Sequence, residues 1–313
     1  MRVVFIGGLP HGREILKTLL DNKQTELLKA FVLKDDCSVK VPDFVKFDDI
    51  LTDTRLTKVS RIGDHAEQII VLKPDIIVVV GWSQLISQAV IDSAKVGVIG
   101  FHPAKLPKDR GRSVLAWQIS EGYTKGAVTM FWIDEGVDSG DIIAQEEYDI
   151  EYEDTIREVL DKVYSISAKL FKTGYPIIAS GIRAGTLQDH SQATYRSLRT
   201  KENGEIKWDS SSREIYNLVR AISHPYPGAH TFYKGIELKI IKVLEAPLVQ
   251  EQYAGIRPGT IIDVMYDGRV TVKTGDNAVI IKDFIPGDKE VYADKLKNII
   301  FEVGTVLGGG NNI

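Results

Sequence analysis

Two clusters in this sequence hold side chains suited to chemistry at neutral pH. The first is Gly100-Phe101-His102-Pro103-Ala104-Lys105-Leu106-Pro107-Lys108-Asp109-Arg110-Gly111-Arg112. An imidazole titrates near neutrality, so His102 could take or give a proton during a reaction. The two prolines behind it stiffen the loop, which suits a residue that must be held still. The competing reading is a hydrogen-bonded structural histidine. The second cluster is Asp134-Glu135-Gly136-Val137-Asp138-Ser139-Gly140-Asp141-Ile142. Four carboxylates in a glycine-rich loop read in three ways: a metal site, a solvated turn, or the source of one acid that orients a histidine and stabilises its cation. The spacing is not that of a calcium loop, and no metal is assigned.

The elements that must position these clusters are legible in the apolar pattern. Arg2 to Ile6 is a strand that ends at Gly7-Gly8, and Ile15, Leu16, Leu19 and Leu20 mark one face of a following helix. Leu27 to Leu33 reads as a second strand. Ile69 to Leu72 closes a helical stretch, Pro74 breaks it, and Ile76 to Val80 is an uninterrupted apolar run, as in a strand buried on both faces. Ile86 to Ala94 predicts a short helix, Val96 to Phe101 the next strand, and Ala127 to Ile133 another extended run. Strands alternating with helices imply an open, mostly parallel α/β sheet, which binds ligands beyond the carboxyl ends of its strands. His102 lies at such an end.

The pattern changes after about residue 200. Glu205 to Asp209 reads as extended, and Ser210 to Ile222 as a capped amphipathic helix. From His230 on, short alternating strands are punctuated at Lys234-Gly235, Asp267-Gly268 and Thr274-Gly275-Asp276, which predicts a small antiparallel barrel. Residues 1–200 and 201–313 are therefore read as two domains, with a disordered tail over Gly308 to Asn312. The net charge of -4 argues against a protein whose main task is gripping nucleic acid. No apolar run approaches the roughly 20 residues of a membrane span. The start lacks the basic flank and long apolar core of a signal peptide. Cys37 is the only cysteine, so no intrachain disulfide forms. These features fit a cytoplasmic protein.

Taken together, the two clusters resemble the 10-formyltetrahydrofolate-dependent formyltransferases. That family's signature is Asn-x-His, a small pair, Leu-Leu-Pro, Arg-Gly and, much later, Asp-x-Gly. His102, Leu106, Pro107, Arg110, Gly111, Asp138 and Gly140 fit it, and His102 and Asp138 stand 36 residues apart, as in its long members. Gly204-Glu205-Ile206 with Trp208, Asn217 to Ala221, and Pro225 to Ala229 resemble the start of the C-terminal domain. That domain occurs in methionyl-tRNA formyltransferase and in the enzyme acting on UDP-4-amino-4-deoxy-L-arabinose. The resemblance implies a Rossmann-like formyltransferase domain followed by an OB-like barrel. It implies 10-formyltetrahydrofolate as co-substrate, and His102 and Asp138 as the catalytic pair. The folate would lie against Trp82, Leu85, Leu106, Val137 and Asp138. One position departs: the family's asparagine, which donates to the formyl oxygen, is replaced by Gly100. Ser83, Gln84, Asp109 and Ser113 are the polar residues near enough in sequence to substitute.

The acceptor is read from weaker features. Gly8 and His11 open a helix whose N-terminus could hold an anion. Arg110 and Arg112 could meet phosphates or serve as ion-pair partners. His224 and Tyr226 could wall an acceptor pocket or merely shape a rigid turn. The region after Val32 runs Leu33-Lys34-Asp35-Asp36-Cys37 with further acids at Asp43, Asp48 and Asp49, where a tRNA enzyme needs a basic track. The expected acceptor is thus a nucleotide-linked amino sugar, with nucleic acid and membrane not expected as partners and a homodimer allowed. The alternatives are methionyl-tRNA formyltransferase, a folate-binding protein whose activity lapsed with the asparagine, and a formyltetrahydrofolate hydrolase.

Overall fold

Val3 to Ile6 have no exposed surface, which places the first strand, β1 (Arg2–Gly7), inside a sheet. In the computed structural model, which describes residues 1–39, 41–248, 250–286 and 300–309, β1 pairs in parallel with β2 (Glu26–Leu33) on one side and β4 (Ile76–Val80) on the other. The short β3 (Leu56–Val59) extends the sheet beyond β2. β5 (Gly97–His102) lies parallel to β4, with Ile77 opposite Val98, as the two apolar runs predict. Next come β7 (Lys125–Ile133) and β8 (Ile142–Asp149), both antiparallel, giving the order β3-β2-β1-β4-β5-β7-β8. The sheet is mostly parallel and Rossmann-like.

Three helices of this region follow the predicted periodicity: α1 (Pro10–Asp21), α2 (Ala66–Val71) and α3 (Gln88–Ser93). Proline at the first turn of α1 costs nothing, because that N–H has no helical partner. Helices α2 and α3 cover one sheet face through Ile69 and Val90, packed on Val4, Ile6, Ile77, Val79 and Val98. Burying such side chains contributes about 1.5–3 kcal/mol each. Elements not read from the sequence are β3, β8, α4 (Val114–Ser120) and the 24-residue α5 (Ile156–Ala179).

Contacts divide the chain into two units: Met1–Val114 with Lys125–Asp149 and Leu160–Ser197, and Leu115–Thr124 with Ile150–Val159 and Leu198–Ile313. In the second unit, α6 (Ser212–Ala221) begins at a capping box: Ser211 Oγ accepts from Glu214 N–H, and the Glu214 carboxylate accepts from Ser211 N–H. The antiparallel strands are β10 (Ala229–Tyr233), β11 (Ile236–Ala246), β12 (Ile261–Val264), β13 (Val270–Lys273) and β14 (Ala278–Pro286), in the order β10-β11-β14-β13-β12. This is the small β-domain that the turn signals predict. Glu205 is extended and bridges to His230, Ile206 N–H donates to His230 O, and the chain turns at Trp208-Asp209. One expectation is corrected. Gly308 is not loose, since its N–H donates to Phe232 O. The rest of the predicted tail, from residue 310, lies outside the described residues.

Candidate active site

His102 is the last residue of β5 and is buried. Its Nε2 lies 2.7 Å from the carbonyl oxygen of Asp109, and a carbonyl only accepts, so Nε2 carries a hydrogen. Nδ1 lies 3.4 Å from Asp138 Oδ2. The same carboxylate oxygen accepts from Gly111 N–H at 2.8 Å. Nδ1 is therefore the ring nitrogen not taken up by a carbonyl, and it faces the Asp138 carboxylate.

Reaching that position demands an unusual path. Ile133, the last residue of β7, pairs with Val98, four residues below His102 on β5. The loop from Asp134 must therefore climb roughly 13 Å, at about 3.3 Å per strand residue, back toward the carboxyl end. It does so tightly. A Cβ on Gly140 would stand 1.8 Å from Trp132 O, so only glycine fits there. Asp138 itself adopts φ 49, a left-handed conformation rare outside glycine. Asp134 closes the loop by accepting from Gly136 N–H and Ser139 Oγ. Of the four carboxylates, one thus shapes the loop and one meets the histidine. Among the described residues, no group of three His, Cys, Asp or Glu side chains is arranged to hold a metal.

The His102 loop is held by a segment that the sequence reading missed. Asp109 N–H donates to Thr194 Oγ1, Arg110 N–H to Thr194 O, and Arg112 N–H to Arg196 O. This makes β6 (Arg110–Gly111) pair with β9 (Tyr195–Arg196). A Cβ on Gly111 would meet Arg196 O at 2.3 Å, which explains the glycine of the Arg-Gly pair. Arg196 Nε donates to the buried Asp109 carboxylate at 2.7 Å. Gln188 Nε2 donates to the carbonyls of Asp138 and Gly140. The only sequence signal for this segment was its length: a long aperiodic connection after α5 in a compact fold is generally functional or a linker.

Other sequence candidates fare unequally. Trp82 is half-buried against the apolar cluster of α2 and α3, and its indole N–H has no partner among the described residues. Leu85 and Val137 are apolar yet exposed, at 89% and 51%, on two loops. Leu106 is instead interior, so its side chain offers no surface to a ligand; its carbonyl accepts from Gln145, which fixes the proline loop. Arg110 is corrected as well. It is buried, and its guanidinium donates to Tyr195 OH, Gln188 Oε1 and His190 Nδ1 rather than facing an anion. Arg112 is exposed. Gly8 is a packing glycine, since its Cβ would press on Leu33 at 2.6 Å. His11 is buried and stacks on Tyr164 at 4.7 Å; burial drives its pKa down to about 3, so it is neutral and brings no charge to an anion. His224 is exposed and Tyr226 half-buried in a turn of the second unit, where Tyr226 N–H donates to Ser223 O.

The place of the missing asparagine is filled. A Cβ on Gly100 would lie 2.8 Å from Ile133 Cδ1 and 3.1 Å from Phe131 Cε1. Of the four proposed substitutes, Gln84 is engaged with Ile62 N–H and Ser60 O, and the Asp109 carboxylate with Arg196. Ser83 is exposed and Ser113 half-buried.

Residues 1–173 match the family described as formyl transferase, and residues 199–299 match the formyl transferase C-terminal domain. Curated relatives at 28 to 37% identity bear the name methionyl-tRNA formyltransferase. One from Clostridioides difficile (strain 630) is 34% identical over 80% of this chain and 79% of its own length. Among solved structures, an N-formyltransferase from Helicobacter canadensis, in complex with folinic acid and dTDP-3-aminofucose, superimposes with a TM-score of 0.67 at 20% identity, covering 90% of this chain and 99% of that one. Methionyl-tRNA formyltransferase from Clostridium thermocellum gives 0.56 at 18%, covering 92% and 100%. The histidine at a parallel strand's end, the acid carried back to it, and similarity running through both units make this chain a member of the formyl transferase family.

Proposed function

We propose that the chain transfers the formyl group of 10-formyltetrahydrofolate to the amine of a nucleotide-linked amino sugar. The His102–Asp138 pair carries the chemical part of this reading. A neutral amine attacks the formyl carbon, and a C–N bond forms as the carbonyl becomes an oxyanion. The bond to the folate nitrogen then breaks. The amine gives up one proton and the departing nitrogen takes one, so a group that accepts and returns a proton completes the cycle. In this reading His102 Nδ1 takes and returns that proton, with the Asp138 carboxylate facing it. The residues present fit a flat, heteroatom-edged pterin. Leu85 and Val137 leave apolar surface on two loops, and the Trp82 N–H lacks a partner among the described residues.

The acceptor rests on one observation in the 34–50 region. Three of its acids are ion-paired: Lys58 pairs with Asp35 and Asp48, Lys46 with Asp35, and Arg13 with Asp49. Arg13 holds the Asp49 carboxyl down at about 2, so it stays ionised. A tRNA track needs cations free to displace counterions from phosphates. After residue 200, acids slightly outnumber bases. Arg112, exposed beside the site, is available to a nucleotide phosphate. The second reading is methionyl-tRNA as acceptor, and the names of the curated relatives favour it over the sugar.

The deciding experiment offers 10-formyltetrahydrofolate with UDP-, dTDP-, GDP- and CMP-linked amino sugars, and methionyl-tRNA in parallel. One sugar gaining a formyl group by mass spectrometry is the expected result. Efficient formylation of the tRNA, with every sugar untouched, establishes the second reading instead.

A further inference from the structure

The carboxamide of Gln188 sits between the two loops that carry the reacting pair, and its side chain is buried. Its oxygen accepts from Arg110 Nη2 at 2.7 Å. Its nitrogen donates to Asp138 O at 2.9 Å and to Gly140 O at 2.6 Å. A guanidinium only donates and carbonyls only accept, so the amide has one workable orientation. Arg110 follows Asp109, whose carbonyl binds His102 Nε2. The Gln188 amide thus joins the side chain of Arg110, next in the chain to Asp109, to the backbone of the Asp138 loop.

Two further facts indicate what the tie does. Asp138 holds a left-handed φ of 49, a conformation that surrounding contacts must enforce. Arg110 is buried, and the side-chain groups it meets, Tyr195 OH, Gln188 Oε1 and His190 Nδ1, include no carboxylate. A buried cation bonded to an amide oxygen polarises that amide and strengthens its N–H donors. The charge is therefore directed at the two carbonyls of the Asp138 loop.

We propose that Gln188, backed by Arg110, is a positioning residue that sets the Asp138 carboxylate against His102 Nδ1. The inference rests on the reading of His102 and Asp138 as the reacting pair, and it is independent of which amine accepts the formyl group. Two variants separate its parts. Gln188→Leu removes all three hydrogen bonds. Gln188→Glu keeps the bond to Arg110 but has no N–H for the two carbonyls. Both should lower kcat by roughly 10- to 100-fold, the cost typical of losing a partner that orients a reacting group. Affinity for 5-formyltetrahydrofolate should stay near that of the parent chain, and the thermal midpoint should fall in Gln188→Leu, which leaves the buried Arg110 one acceptor short, by more than in Gln188→Glu, which keeps that bond. The nitrogen resonances of the His102 imidazole, followed by NMR in the free protein, should move in both variants. That arm needs no acceptor, so it stands even if every acceptor tried fails. Unchanged His102 resonances in Gln188→Glu would overturn the proposal, as would activity that falls only in step with stability.

Discussion

Asp138→Asn isolates the charge from the shape. The amide oxygen still accepts from Gly111 N–H, so the loop stays closed, but the imidazolium loses its counter-charge. Turnover should fall on the order of 100- to 1000-fold, within the range for general acid–base groups. Folate affinity, read by fluorescence titration, should hardly change. Gly100 poses the opposite question. Restoring the asparagine in Gly100→Asn pushes its Cβ into Ile133. Overpacking of this kind costs about 1–3 kcal/mol, so denaturant unfolding should show lower stability with no gain in rate. A faster Gly100→Asn enzyme would mean that Ile133 yields readily and that the asparagine's role is still open here.

At the level of elements, the decisive feature is how the loop after β7 regains the height of His102. Gly140 passes Trp132 O with no room for a methyl group. Gly140→Ala should displace Asp138 while leaving the sheet intact. The expected outcome is activity lost by at least about tenfold, as a misplacement near 1 Å can cost 100-fold. Hydrogen exchange should quicken over residues 134–141 and stay unchanged in β4 and β5. Equal acceleration in those strands would show that the loop supports the sheet rather than the site. The aperiodic segment from Ala184 to Arg196 acts as an element too, although it has little regular structure. Trp132 Nε1 donates to Ala184 O, and Thr186 bridges Ile142, so both ends of the acidic loop are anchored to it.

Stability of the whole chain should carry the signature of His11. Its ordinary pKa of 6.5 is held down to about 3 by burial against Tyr164. Between those values the unfolded chain binds a proton that the folded chain refuses. Stability from this group is therefore complete above about pH 6.5 and drains away as the pH falls toward 3. The ion-paired Asp49 loses its contribution only below its ordinary value of 3.8. The upper part of the acid decline thus reports His11. His11→Phe keeps a stacking ring without a titrating nitrogen, so its thermal midpoint should fall less between pH 6.5 and 4.5 than that of the parent chain. Parallel curves for the two proteins would show that another group dominates there.

By itself, the sequence determined the elements whose cause is local. The five-residue apolar run at Ile76 to Val80 suits a strand covered on both faces, and the alternation after His230 suits short strands. It also determined that His102 ends a strand, and it supplied the spacing of His102 and Asp138 that points to the family. Tertiary structure decided what depends on segments far apart in the chain. Arg110 reads as a surface cation, but β9, arriving 85 residues later, buries it. Gly100 reads as a gap, but Ile133 occupies it from the neighbouring strand. Gln188 carries no periodicity, so nothing local marks it; only the meeting of the two loops gives its amide three partners. Periodicity records which side of an element faces apolar surroundings. It does not record which distant backbone arrives to use a polar group, because that is fixed by close packing and hydrogen-bond satisfaction across the fold.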